Sequence, residues 1–221
     1  MRRFACAPRL STAAAGRFGE PQFWREFYLR KSGPFEWFVD AAVAARALKP
    51  LLPRRSGSAI LHLGCGTSAL GPLLAADGFS VVNVDYDQSA IEAARARFGP
   101  ERWARRGGSC EWQCGDMRAL PADWTGRFDA VVDKGGLCAA IFAGEAHAAS
   151  ACREAARCLA AQGALHYITD DAPEQRVDLL RAALPDFEVT GASIDADEDE
   201  DDDALLDHHR REYYVYSASR M

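Results

Sequence analysis

The feature that most constrains the fold is a repeated unit: a short, mostly apolar run that halts at glycine or aspartate and gives way to a helix-period segment. The first run, Ala59-Ile60-Leu61-His62-Leu63, stops at Gly64-Cys65-Gly66. Ser80-Val81-Val82-Asn83-Val84 stops at Asp85, the run from Cys110 to Cys114 at Gly115-Asp116, and the run from Phe128 to Val132 at Asp133. Runs this short and this apolar fit strands of a parallel sheet covered by helices on both faces. Helix-period segments at 67–77, 88–98, 146–161 and 174–184 alternate with them, and Ala164 to Thr169 supplies a fifth strand. Such an alternation predicts a parallel sheet with right-handed crossovers.

Two more strands, near 187–194 and 212–219, have no helix between them. Pairing them as a hairpin makes one strand antiparallel at the sheet edge. The expected architecture is therefore α/β and Rossmann-like: a seven-strand, mostly parallel sheet with one antiparallel strand in the edge region, in a single domain over 20–221. Helices at 21–31 and 35–52, broken at Ser32-Gly33-Pro34, precede the first strand. A chain of 221 residues is long enough to bury one such core.

Charge and cysteine usage narrow the function classes. The formal net charge of −6 does not suit a broad grip on nucleic-acid phosphates. No apolar run reaches the roughly 18–20 residues of a membrane helix, so neither nucleic acid nor membrane is an expected partner. Residues 1–19 hold Arg2, Arg3, Arg9 and Arg17 and no acid, which reads as a targeting peptide for the mitochondrial matrix, or else as the ragged start of a cytoplasmic protein. Eight of the nine residues 195–203 are acidic. They predict a solvated loop insertion over 195–211, or an electrostatic contact with a basic partner. The seven cysteines form no C-x-x-C pair, which suggests reduced intracellular thiols. Cys110 and Cys114 share a strand face and are expected in the core. Neither they nor the five histidines have a metal-ligand spacing, so no metal site is expected.

Ligands of open α/β sheets bind beyond the carboxyl ends of the strands. Four features fall there. Gly64, Cys65 and Gly66 allow close backbone approach to a ligand ahead of a helix N-terminus. Asp85, 21 residues after Gly64, is placed to accept both hydroxyls of a ribose. Asp116 is placed for an adenine amino group, and Asp133-Lys134-Gly135-Gly136 for a reacting substrate. The glycine pattern alone also satisfies a loose nicotinamide fingerprint, Gly64-x-Gly66-x-x-Ala69, or a plain structural turn. The whole set, with a terminal hairpin and no Tyr-x-x-x-Lys pair, favours S-adenosylmethionine. A noncatalytic nucleotide binder remains open.

Phe23-Trp24-Arg25-Glu26-Phe27-Tyr28, Glu36-Trp37-Phe38, Leu63-Gly64-Cys65-Gly66-Thr67-Ser68, Val84-Asp85-Tyr86, Gly115-Asp116-Met117 and Val132-Asp133-Lys134-Gly135 occur in that order. From about residue 23 to the C-terminus, the chain resembles the protein-lysine methyltransferases that modify translation elongation factor or mitochondrial citrate synthase. Asp170-Asp171-Ala172-Pro173 and the Arg-rich start look closer to the citrate synthase enzyme. The resemblance implies the class I methyltransferase fold, S-adenosyl-L-methionine as cofactor and a protein partner carrying an acceptor lysine. It implies that Trp24, Tyr28 and Trp37 close over the methionine end of the cofactor, with Gly64, Cys65 and Gly66 beneath it. Asp85 and Tyr86 would serve the ribose and adenine side, Asp116 and Met117 the adenine. Lys134 would lie near the methyl donor and Asp133 with Lys134 on the substrate side, as candidate catalytic residues.

Three positions depart from the family pattern. His62 stands where an acid is common, Gly136 where Thr is usual and Cys138 where Asp is usual. The last two lie on the substrate side, which keeps a small-molecule acceptor open as an alternative, alongside a cofactor binder without turnover.

Overall fold

The computed structural model describes residues 17–31, 33–99, 107–195 and 212–221. The strands are β1 (Ala59–Leu63), β2 (Ser80–Asp85), β3 (Ser109–Cys114), β4 (Phe128–Lys134), β5 (Leu159–Thr169), β6 (Phe187–Ile194) and β7 (Tyr213–Arg220). They form one sheet in the order β3-β2-β1-β4-β5-β7-β6. β1 to β5 pair in parallel, and β7 runs antiparallel to both β5 and β6. The seven-strand, mostly parallel architecture is as expected, with one difference. The antiparallel strand is not at the edge: β7 lies between β5 and β6. The crossover that leaves β5 skips one strand position before placing β6, and the returning β7 fills that slot.

The helices are α1 (Pro21–Arg30), α2 (Ala41–Leu48), α3 (Leu70–Ala76), α4 (Gln88–Phe98), α5 (Gly136–Ala143), α6 (Glu145–Cys158) and α7 (Pro173–Ala183). Side chains alternate across each strand, so every central strand feeds two cores. On one face, Ile60, Val81, Val132 and Ile168 pack with Leu48 of α2 and Leu70 and Leu74 of α3. On the other, Leu61, Val131, Leu165 and Tyr167 meet Ala148, Ala151 and Ala155 of α6 and Leu180 of α7. Full burial of each such Leu, Ile or Val is worth about 1.5–3 kcal/mol.

Local chemistry explains the departures from the expected elements. α2 begins at Ala41 instead of 35, because Phe38 adopts a left-handed φ of 66° and the Asp40 carboxylate caps the helix by accepting from Ala42 N–H at 2.7 Å. α5 was not expected at all. Its residues, Gly-Leu-Cys-Ala-Ala-Ile-Phe-Ala, carry no polar face to give a helical period. β3 is an edge strand on which only Trp112 is buried; Cys110 is half-buried and Cys114 exposed, so the expected core placement of Cys114 is corrected.

The folded unit also starts earlier than 20. Phe18 is buried, its carbonyl accepts from Trp24 Nε1 at 2.7 Å, and Gly19 lies so close to the backbone of Ala143 that a Cβ there would collide. The rest of the targeting reading, residues 1–16, and nearly all of the acidic run lie outside the described residues. Among the described residues no helix is long and apolar enough to cross a membrane, and no cluster of three or more His, Cys, Asp or Glu could hold a metal ion.

Candidate functional site: a roofed cavity at the sheet reversal

Strand order reverses between β1 and β4, and the crevice beyond their carboxyl ends is where an open α/β sheet binds its ligand. An open-mouthed cavity lies there, with about 600 Å³ of empty space that includes solvent at its mouth. The glycine turn after β1 forms part of its wall. Gly64 and Gly66 take φ values of 55° and 48°, a region that side chains disfavour. Space demands glycine as well. A Cβ on Gly64 would press on Gly136 Cα, and one on Gly66 would strike the Tyr28 hydroxyl.

Asp85, at the end of β2, is 6% exposed and lines the cavity. Its carboxylate accepts from Gly66 N–H at 2.8 Å and from Asp87 N–H at 2.9 Å, so it pins the glycine turn while facing the ligand space. Burial pushes its carboxyl up to about 6, against the opposing pull of those two backbone donors. Asp87 accepts from Ala90 N–H and caps α4. Tyr86 forms a half-open rim.

The roof comes from the segment before α2. Trp24, Tyr28, Phe35 and Trp37 all line the cavity. Their rings interlock: Trp24 stacks on Tyr28 with centroids 6.0 Å apart, meets Trp37 at 4.9 Å and Phe35 at 6.3 Å. Burial, then the charge of Asp85, pushes the Tyr28 phenol well above its ordinary value, so it stays neutral. Gly135, with φ 105°, lets Trp37 lie against the turn after β4; a Cβ there would sit 2.8 Å from the indole. Lys134 lines the same cavity, paired with Glu36 at 2.8 Å and donating to the Trp37 carbonyl at 2.9 Å.

Ten of the twelve expected site residues thus meet around one cavity: Trp24, Tyr28, Trp37, Gly64, Cys65, Gly66, Asp85, Tyr86, Met117 and Lys134. Two do not. Asp116 turns away, its carboxylate gripped by the Arg118 guanidinium at 2.6–3.0 Å, which holds its carboxyl below the usual range. The flanking Gly115 and Met117 line the cavity instead.

Asp133 is the second correction. β4 alternation sends Lys134 and Asp133 to opposite faces, so only one of them reaches the main cavity. Asp133 is 2% exposed and accepts from Gly135 N–H at 3.1 Å and Leu137 N–H at 2.9 Å, which caps α5. It borders a small apolar cavity with Leu63, Cys152 and Leu165, and burial pushes its carboxyl up to about 7. It does not stand where a methyl acceptor would enter from the main cavity.

The three departures from the family pattern also find places. His62 is buried on β1, shares a hydrogen bond with Asn83 Oδ1 at 2.9 Å, and is held neutral by burial, its pKa lowered to about 4. Gly136 has no room for a side chain, since its Cβ would fall 2.8 Å from Gly64 Cα. Cys138 is buried within α5. Sequence reasoning missed Phe35, Ser68 and Ala139 in the lining. Phe35 is the first residue of the helix expected over 35–52, and Ala139 belongs to the unforeseen α5.

An antiparallel seventh strand wedged between β5 and β6 distinguishes this sheet from the parallel sheet of dinucleotide-binding folds and counts against the nicotinamide reading. The fold is that of class I methyltransferases. Residues 60–163 match the family described as methyltransferase domain. A TehB-like methyltransferase from Corynebacterium glutamicum superposes with a TM-score of 0.58 at 19% identity, covering 96% of this chain and 100% of that one. Magnesium protoporphyrin IX methyltransferase from Synechocystis, solved with bound S-adenosylmethionine, gives 0.58 at 16% identity, covering 97% and 100%. The putative methyltransferase in a Haloferax volcanii complex with the Trm112 activator gives 0.63 at 14% identity, covering 93% and 97%. No curated protein matches the chain. The cavity wall from Gly64 to Ala139 lies on the matched residues and its roof of Trp24, Tyr28, Phe35 and Trp37 lies before them; the matched domain and the fold together support an S-adenosylmethionine-dependent methyltransferase.

The residues present fit that cofactor. A buried carboxylate at the end of β2, two glycines that keep side chains off the cavity wall, and an aromatic roof suit a nucleoside joined to an amino acid. When bound, S-adenosylmethionine supplies an electrophilic methyl group. Asp85 would hold the ribose hydroxyls, Gly115 and Met117 would flank the base, and Trp24, Tyr28 and Trp37 would keep water from the methyl-donor end.

Proposed function

We propose that this methyltransferase modifies a lysine side chain of a mitochondrial protein, with citrate synthase as the type of target. The observation that carries the reading is the convergence of Trp24, Tyr28, Trp37 and the Lys134-Gly135 turn on one cavity, because these belong to the motifs of the lysine-methyltransferase resemblance. The chemistry is compatible. A lysine acceptor with a reference pKa of about 10.4 must lose its proton at a cost of roughly 4.6 kcal/mol at pH 7. An apolar aromatic surround and a nearby sulfonium both disfavour the ammonium and lower that cost. The ring faces of Tyr28 and Trp37 attract the cation as it arrives. Displacement is in line: the nitrogen–methyl bond forms as the sulfur–methyl bond breaks, and alignment supplies several kcal/mol.

A small-molecule acceptor is the second reading. It is favoured by Gly136 and Cys138 in place of the family's Thr and Asp. Two structural neighbours are a magnesium protoporphyrin IX methyltransferase and a glycopeptide N-methyltransferase. Incubating the purified protein with radiolabelled S-adenosylmethionine and a mitochondrial extract separates the readings. A labelled protein band whose label lies on lysine supports the first. Label confined to the small-molecule fraction supports the second, and cofactor binding without any labelling supports a noncatalytic binder. Localisation is tested separately by fusing residues 1–25 to a fluorescent reporter; diffuse cytosolic signal rejects import.

A further inference from the structure

The aromatic roof and the glycine turn are far apart in sequence, yet one carboxylate joins them. One Glu36 oxygen accepts from Ala69 N–H at 2.7 Å. The other accepts from Ser68 Oγ at 2.7 Å and pairs with Lys134 Nζ at 2.8 Å. Lys134 in turn donates to the carbonyl of Trp37, the residue after Glu36. On the other side of Glu36, Phe35 N–H donates to Thr67 Oγ1 at 3.0 Å. Three consecutive residues are thus fastened to two different strand ends. The pair is nearly dry, with the Lys134 side chain 1% exposed and that of Glu36 14% exposed. By contrast, the ion pair between α1 and the start of α4, Arg25 to Asp87, spans 3.7 Å and its arginine is 63% exposed. Pairs of that kind contribute little.

We infer that Glu36 is a positioning residue: it clasps the aromatic segment onto the glycine turn and Lys134, and so holds Trp24, Tyr28 and Trp37 closed over the cofactor. Glu36 itself does not line the cavity, whereas the residues it joins, Phe35, Trp37, Ser68 and Lys134, do. A glutamine at this position replaces one of the two accepting oxygens with an NH2 group that only donates. It cannot serve Ala69 N–H, Ser68 Oγ and Lys134 Nζ together, and it leaves a buried ammonium without a counter-charge. The inference rests on the cavity being the cofactor site, and its test has one arm that needs no ligand.

The test compares the full chain with its Glu36→Gln and Glu36→Asp variants. Trypsin cleavage after Arg25, Arg30 and Lys31 is followed without ligand, S-adenosylhomocysteine affinity is measured by calorimetry, and global unfolding by urea. In Glu36→Gln, cleavage at those sites should rise at least tenfold well below the unfolding midpoint. Affinity should fall at least tenfold, and saturating S-adenosylhomocysteine should restore protection. Glu36→Asp keeps the charge but is one methylene short, so both effects should be intermediate, at about threefold to fivefold. Cleavage in Glu36→Gln that merely tracks global unfolding, or affinity within twofold of the parent, overturns the clasp. If Glu36→Gln fails to fold, Glu36→Asp decides, and parental protection and affinity there overturn the clasp. A parent that binds no S-adenosylhomocysteine would defeat the cofactor assignment, while the protease arm would still judge the clasp.

Discussion

β2 and β3 lie side by side; β2 ends on Asp85, β3 is followed two residues on by Asp116, and sequence alone would assign both acids to the same ligand, yet their fates are opposite. Asp85 is buried, faces the cavity, and has its carboxyl pushed up to about 6 by loss of solvent. Asp116 has a side chain 41% exposed and a carboxyl held down by Arg118, two residues further on. β2 is flanked by β1 and covered on both faces, whereas β3 is the sheet edge. The same residue type at the ends of neighbouring strands becomes a cavity-facing group in one case and half of a surface ion pair in the other. Position in the strand order and one neighbouring charge decide which.

The largest expected effect is on the β2 side. Asp85→Ala should weaken S-adenosylhomocysteine binding by about a hundredfold or more, because charge-assisted hydrogen bonds are lost and the glycine turn is unpinned. Calorimetry on a variant shown to be folded checks this, and near-parental affinity would break the comparison at its stronger end.

The second effect is on pH dependence. If Asp85 holds the ribose, its ionised form is the one that accepts the hydroxyls, so affinity should be flat above pH 7 and fall toward tenfold per unit below about pH 6. Lys134 lines the same cavity, and Tyr86 and Asp87 lie beside Asp85, so Asp85→Asn is the control, and its profile should be level through that range. The stability linkage has the reverse sign. With folded values near 6 and 7, Asp85 and Asp133 bind protons more tightly when native, and stability from them falls as pH rises from about 4 to 7. His62 and His166, both lowered to about 4 by burial, act oppositely: their contribution is lost as pH falls from 6.5 toward 4. Urea midpoints should therefore vary little across that window.

The third effect concerns Asp133. Asp133→Ala strands Gly135 N–H and Leu137 N–H, so urea unfolding should show a loss of about 2 kcal/mol. Affinity for S-adenosylhomocysteine should change only a few fold. The smallest effect belongs to β3. Asp116→Ala should shift affinity less than about threefold, since its carboxylate is spent on Arg118 and lies off the cavity. A tenfold loss would erase the contrast between the two strand ends.

Much of this was legible in the chain. The runs that became β1, β2 and β4 each end where the sheet reverses or next to it, and their terminal Gly64, Asp85 and Lys134 reached the cavity together. Patterns of period two and short apolar runs record which strands are central, and that fixes where a ligand sits. What stayed hidden was long-range or non-periodic. α5 has no polar face, so no helical period betrays it. Glu36 acts on residues 32, 33 and 98 positions away, a relation that no local window contains. Asp133 was misplaced because the motif reads as a unit, whereas strand alternation splits its aspartate from its lysine.

The threading of β7 between β5 and β6 has a consequence for synthesis on the ribosome. Among the described residues β6 pairs only with β7, so it joins the sheet only once residues 213–220 are free of the ribosome. Until then β5 presents an unpaired edge, with Ala164 to Thr169 waiting for partners supplied some 50 residues later. At 5–20 residues per second, that edge is open for roughly 3–10 s of translation. An edge of this kind invites association between nascent chains, so this segment is where a chaperone would bind the growing polypeptide.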